Sequence, residues 1–301
     1  MTSRFTVIDA PSILGLRPSG VQYLPEALKA AGIIKKLDAD YEGRVPILPY
    51  DSERDETTLL LNGDKIKIFS QRLATVVVSV IQKKKRYPGV LGGDCSILIG
   101  NMLALRKLGR FGLFFIDGHA DFYQPSASNT GEVADMDLAI IFGRGSDLLT
   151  NIEGLKPLVR DEDIVLFGYR DRLESSKYGS QEVEKTPISA FDLDFIRTKG
   201  IENATTIALN RICNDNIKGI WIHLDVDVLD DSIMPAVDYR LKNGLTFEEL
   251  THLLDALVST YKTVGMDITI FNPKLDPNGD LARKLVKCVS DPLVRLSTTY
   301  N

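Results

Sequence analysis

Short apolar runs alternate with longer segments whose apolar residues recur every three or four positions, and this alternation constrains the fold more tightly than any other feature of the chain. The runs occupy residues 5–8, 45–48, 89–91, 112–116, 164–167, 188–191, 219–224 and 263–268. Helical periodicity marks residues 66–81, 97–108, 247–257 and 281–289, and Thr246 followed by Glu248 and Glu249 predicts a capped helix start. Parallel strands need a crossover long enough to hold a helix, and helices on both faces bury the strands completely. The pattern therefore predicts an α/β fold of three αβα layers around a mainly parallel sheet of about eight strands. No repeat, low-complexity tract or long Gly/Pro/Ser linker divides residues 1–301, so a single domain is expected.

The chemistry concentrates where two of these runs end. Leu113-Phe114-Phe115-Ile116 leads straight into Asp117-Gly118-His119-Ala120-Asp121, which places three metal-ligand types at alternate positions. In extended chain, positions i, i+2 and i+4 point to one side. A second apolar run, Trp221-Ile222-His223-Leu224, leads into Asp225-Val226-Asp227. Asp after a strand often only caps a loop or helix, but two such motifs would bury several carboxylates together, which is very costly without a cation. Oxygen-rich ligation with one imidazole suits Mn²⁺ or a similar ion, and more than three carboxylates points to a second ion sharing ligands. A third element, Gly92-Gly93-Asp94-Cys95-Ser96, is a double-glycine turn between a strand and a helix. Cys95 is there either a thiolate in reach of the metal or a buried inert thiol.

Together these motifs resemble those of the ureohydrolase superfamily of arginases, agmatinases and formiminoglutamases. Gly92-Gly93-Asp94-Cys95-Ser96 is similar to the family's Gly-Gly-Asp-His-Ser, Asp117-Gly118-His119-Ala120-Asp121 to its Asp-Ala-His-x-Asp, and Asp225-Val226-Asp227 with Asp230 to its Asp-x-Asp-x-x-Asp-Pro. Gly20-Val21, Gly244-Leu245-Thr246 and Asn272-Pro273 add weaker echoes in the same order. The resemblance implies an arginase-like fold and a homotrimer or homohexamer. It also implies two divalent metals, Mn²⁺ first and Zn²⁺ as the alternative because of Cys95. Asp117 and Asp225 would bridge them, His119 and Asp227 would complete one, and Asp121 with Cys95 the other. The implied reaction is attack of a metal-bridging hydroxide on an amidine or guanidinium carbon, with Asp121 orienting the hydroxide.

Departures from the family pattern narrow the substrate. Cys95 replaces a ligand histidine, Ala134 falls where the family places a proton-shuttling loop histidine, and Ile270 stands where a glutamate would hold guanidinium. Leu173 occupies the position of a carboxylate that would meet an α-amino group. A linear amidine or guanidino compound other than arginine is therefore expected. Only three histidines exist, and His223, two residues before Asp225, is either a proton-transferring imidazole or a hydrogen-bonded structural one, whereas His252 falls mid-helix. Glu132 is a candidate acid or cation-binding carboxylate, and Arg144 and Asp238 are weaker candidate substrate contacts.

Acidic residues exceed basic ones, 41 to 36, for a net charge of -5 with no basic stripe, which argues against nucleic acid as a partner. No stretch of about 18 uncharged apolar residues indicates a membrane span, and no signal-peptide core is evident. Cys95, Cys213 and Cys288 are odd in number and widely spaced, which predicts a reducing, cytoplasmic setting. Two other readings are open at this level. One is an amide hydrolase with a single Zn²⁺ held by Asp117, His119 and Asp225, similar to the deacetylases that share this fold. The other is a non-catalytic binding protein.

Overall fold

All eight strands of the computed structural model, which describes residues 4–298, run parallel in one sheet of order β2-β1-β3-β8-β7-β4-β5-β6. They are β1 (Phe5–Ala10), β2 (Asp40–Arg44), β3 (Tyr87–Gly92), β4 (Gly112–Ile116), β5 (Ile164–Phe167), β6 (Ser189–Phe191), β7 (Ile220–Asp225) and β8 (Thr263–Thr269). Side chains alternate between two apolar layers: Phe114 and Ile116 of β4 enter one, Leu113 and Phe115 the other. The first layer is closed by the helices Ile201–Ile212, Phe247–Ser259 and Asp280–Thr298, and the second by Gly63–Val78 and Ile97–Leu108. In the helix Gly63–Val78 the buried residues Ile66, Phe69, Leu73 and Val77 recur at the three- and four-residue spacing that one helix face requires. Thr246 and Glu249 form a full capping box at the start of Phe247–Ser259. No helix among the described residues is long and apolar enough to cross a membrane.

One expected strand is misplaced. Residues 45–48 form no strand; the edge strand is the preceding, largely polar β2, and only Val45 extends its pairing, donating its N–H to the Asp9 carbonyl at 2.9 Å. Pro46 and Pro49 have no N–H to offer a ladder, and an edge strand paired on one side needs no apolar run.

The order of the sheet decides where the chemistry falls. Strands β3, β8, β7 and β4, far apart in sequence, are consecutive neighbours at its centre, so the turns after all four open at one carboxyl edge.

Candidate metal centre and active site

Cys95 lies in the turn after β3, Asp117 directly after β4, Asp225 at the end of β7, Asp227 in the short 3-10 turn Val226–Val228, and Ile270 directly after β8. The glycine turn is compact by necessity: a Cβ on Gly93 would lie 1.8 Å from the Ser12 carbonyl oxygen. Each acid uses one oxygen to pin backbone. Asp117 Oδ1 accepts the His119 N–H at 2.6 Å, Asp225 Oδ1 accepts the Asp227 N–H at 2.7 Å, and Asp227 Oδ1 accepts the Gly118 N–H at 3.0 Å. The second oxygens face inward. Asp225 Oδ2 is 2.8 Å from Cys95 Sγ, Asp227 Oδ2 is 2.9 Å from His119 Nδ1, and Asp117 Oδ2 is buried without a hydrogen-bond partner. Cys95 Sγ also lies 3.2 Å from the Thr269 hydroxyl.

Two triads result, Cys95–Asp117–Asp225 and Asp117–His119–Asp227, each with one donor atom per residue within 4.8 Å of the others, and they share Asp117. Arg170 holds the second motif from outside: its guanidinium donates to the carbonyls of Asp227, Val228, Leu229, Leu241 and Lys242 at 2.8–3.4 Å.

Burial, reinforced by the Asp227 charge, pushes the Asp117 carboxyl up to about 6. Burial and then neighbouring carboxylates also drive Asp121 and Asp225 well above the ordinary range. The Cys95 thiol rises for the same two reasons. His119 goes up although burial pulls it down, because Asp227 and Asp117 together outweigh desolvation. Four carboxylates, a thiol and an imidazole so arranged either take up protons or share a cation. An orphaned inward oxygen on Asp117 and the mixed oxygen, nitrogen and sulfur donor set fit divalent metal.

A cavity of about 400 Å³ opens above these groups and is lined by Cys95, His119, Asp121, Asp225 and Asp227 at its floor. That is ample for a small linear substrate. Asp121, at φ 45°, faces the cavity but belongs to neither triad. Glu132 lines the wall and accepts a hydrogen bond from the Tyr239 hydroxyl at 2.7 Å. Ala134 and Ile270 also face the cavity, and Ile270 does so at φ 69°, a strained conformation for a β-branched residue. Asp238 lines the wall and accepts from the Asn272 side-chain amide at 2.9 Å.

Other expected residues lie elsewhere. Leu173, in the short helix Arg172–Lys177, is 82% exposed on the surface, and the carboxylate facing the cavity from that helix is the next residue, Glu174. Arg144 packs over the rings of Phe122 and Phe142 and donates to Gln181, away from the cavity lining. His252 is exposed on its helix. His223 is fully buried and does not line the cavity, so direct proton transfer to a substrate does not suit its position. Its ring stacks on Phe115, its strand neighbour, and its Nδ1 is 2.5 Å from Asp267 Oδ2. The sequence motifs do not single out Asp267, Asp137 or Glu174, whereas Asp171 belongs to an Arg170–Asp171 pair that resembles the family's. A lone acid inside the apolar run Met266-Asp267-Ile268 was the available signal, since an unpaired buried charge is rare.

A fully parallel αβα sandwich that gathers acidic motifs able to hold a cation at the carboxyl edge of its central strands has the architecture of an α/β metallohydrolase. Comparison with known proteins is consistent with that class. The chain belongs to the arginase family, whose model matches residues 4–291. Over 296 residues it is 31% identical to an arginase of Staphylococcus aureus (strain MSSA476), covering 96% of both chains. The solved structure of arginase from Bacillus caldovelox superimposes with a TM-score of 0.85 at 26% identity, covering 97% of this chain and 98% of that one. Formimidoylglutamase from Bacillus subtilis shares the fold, with a TM-score of 0.76 at 18% identity and coverage of 99% and 88%.

Proposed function

We propose that the chain hydrolyses a carbon–nitrogen bond in a linear amidine or guanidino compound other than arginine, using two divalent metals, Mn²⁺ first. The observation that carries this reading is the pair of triads that share the buried Asp117 and present Cys95, His119, Asp225 and Asp227 to a cavity of about 400 Å³. Asp117, Asp225 and Cys95 would hold one ion, with Asp121 beside it, and Asp117, His119 and Asp227 the other. When bound, the ions supply Lewis acidity and make water a competent nucleophile at neutral pH.

The protein's own groups do the rest. The Asp121 carboxylate, facing the floor, accepts a proton from the attacking water. Glu132, oriented by Tyr239, pairs with the cationic substrate carbon's amino groups or passes a proton to the departing amine. Glu174 offers a second carboxylate at the rim. An apolar Ile270, where the resemblance implies a carboxylate for guanidinium, supports a substrate other than arginine.

The test is metal analysis of protein purified without chelator and loaded with Mn²⁺ or Zn²⁺, followed by urea and ammonia assays on guanidino and amidino compounds. About two metals per chain, with one lost in Asp227→Ala together with activity, supports the reading. No metal under any loading refutes it, and arginine turned over as well as the best compound refutes the exclusion of arginine.

A further inference from the structure

Cys95 also belongs to a third group of donors, whose other two members line no part of the cavity and are not used by the reading above. One donor atom each of Cys95, Asp137 and His223 lies within 4.8 Å of the others. All three side chains are at most 1% exposed. Asp137 opens the short helix Asp137–Ile141 and Cys95 precedes the helix Ile97–Leu108, while His223 of β7 stacks on Phe115 in the layer that also takes Leu138 and Ile140 of the Asp137 helix. The group is poised but unsatisfied. Asp137 Oδ1 accepts its neighbour's Leu138 N–H at 2.7 Å, while Asp137 Oδ2 and His223 Nε2 are buried without any hydrogen-bond partner.

Behind His223 stands a preformed support. Asp267 takes the ring through Nδ1 and is itself fixed by the Trp221 indole N–H at 2.5 Å and the Asn101 amide at 2.9 Å. With Nδ1 engaged, Nε2 is the nitrogen left for a ligand. A carboxylate gripping the far side of an imidazole is the arrangement that fixes the tautomer and orientation of a metal-binding histidine. An imidazole nitrogen and a carboxylate oxygen left unpaired in a buried layer carry a desolvation penalty, and a shared cation removes it.

We propose that Cys95, Asp137 and His223 bind a divalent cation of thiolate-tolerant type, Zn²⁺ or Co²⁺, at an inner position below Asp117 and Asp225. The sulfur, nitrogen and oxygen donors match the preference of such ions. The inference rests on the two-metal reading and deepens it. Cys95 belongs both to this group and to the triad with Asp117 and Asp225, so the inner ion of the pair is drawn toward His223 and Asp137, and the two ions of this chain differ in chemistry.

The experiment is Co²⁺ titration of the full chain, followed by optical spectroscopy and calorimetry, for wild type, Cys95→Ser, Asp137→Asn, His223→Gln and Asp227→Ala. The expected result is a thiolate-to-cobalt charge-transfer band in wild type that disappears in Cys95→Ser. His223→Gln and Asp137→Asn each weaken that ion at least 10-fold and leave the other ion in place. Asp227→Ala removes the other ion and keeps the band. Unchanged cobalt affinity and band in both His223→Gln and Asp137→Asn overturn the inference while leaving the two-metal reading intact. Failure of wild type to bind any cation overturns both. Because substitution of His223 can disturb the packed layer, zinc-edge X-ray absorption on Asp227→Ala protein carrying one Zn²⁺ decides independently: sulfur with an imidazole shell supports the site, and sulfur without imidazole overturns it.

Discussion

Arg170 is the side chain whose removal separates architecture from charge at the metal centre. Its guanidinium reaches five carbonyls, at 3.1 Å from Nε, 3.4 Å from one terminal nitrogen, and 2.8, 3.0 and 3.2 Å from the other. Its five N–H groups cannot all be strong donors at once, and about three effective charge-assisted bonds is a fair count. At the lower end of roughly 1.5 kcal/mol each, with water recovering part at the half-buried rim, Arg170→Met should cost about 3 kcal/mol. For a chain of this size that corresponds to a fall in Tm of about 6 °C. Arg170→Lys keeps the charge but loses the planar arrangement that spans the loop, so roughly half the loss is expected. Asp227 hangs from the clamped segment, and its displacement should weaken metal binding by about 10-fold or more. Thermal melting with and without Mn²⁺, together with metal titration by calorimetry, reads both effects. If Arg170→Lys matches wild type in Tm and metal affinity, the clamp argument is wrong. If Arg170→Met melts early but binds metal normally, the Gly118 N–H alone positions Asp227.

Other substitutions probe the turn, the cavity wall and the buried acids. Gly93→Ala sets a Cβ against the Ser12 carbonyl, backbone against backbone, and should lose roughly 3 kcal/mol or fail to accumulate as soluble protein; a normal melting curve would contradict this. Ile270→Glu places a carboxylate on the cavity wall, so KM for guanidinium-bearing compounds should fall about 10-fold while amide substrates are unaffected, and an equal change for both would show the effect is not ion pairing. The Asp117 carboxyl rises from 3.8 unfolded to about 6 folded, through burial first and the Asp227 charge second. Between about pH 4 and 6 the folded chelated protein therefore binds more protons than the unfolded chain, and the stability contributed by Asp117 falls as pH rises. The Tm advantage of chelated wild type over chelated Asp117→Asn should shrink across that window, and an advantage that grows would reverse the assignment.

The sequence alone was enough to specify the layered α/β class, most of the strands, the helix bounds at residues 97–108 and both acidic motifs. These are local signals: apolar runs mark strands buried on both faces, period-3.6 segments mark their covering helices, and acids at alternate positions of a strand end share one side. Where the local signal is weak, sequence and structure differ by a few residues, as at the polar edge strand β2, whose pairing with β1 is imposed by its neighbour rather than by its own side chains. Only the tertiary structure decided which motifs meet. The order β3-β8-β7-β4 brings Cys95, Ile270, Asp225 and Asp117 to one edge, and no spacing along the chain encodes that order. It also took His223 out of the cavity and into a buried group with Cys95 and Asp137. Strand position settles which face a side chain takes, but depth relative to the substrate depends on what packs above it, and that is settled only when distant segments fold together.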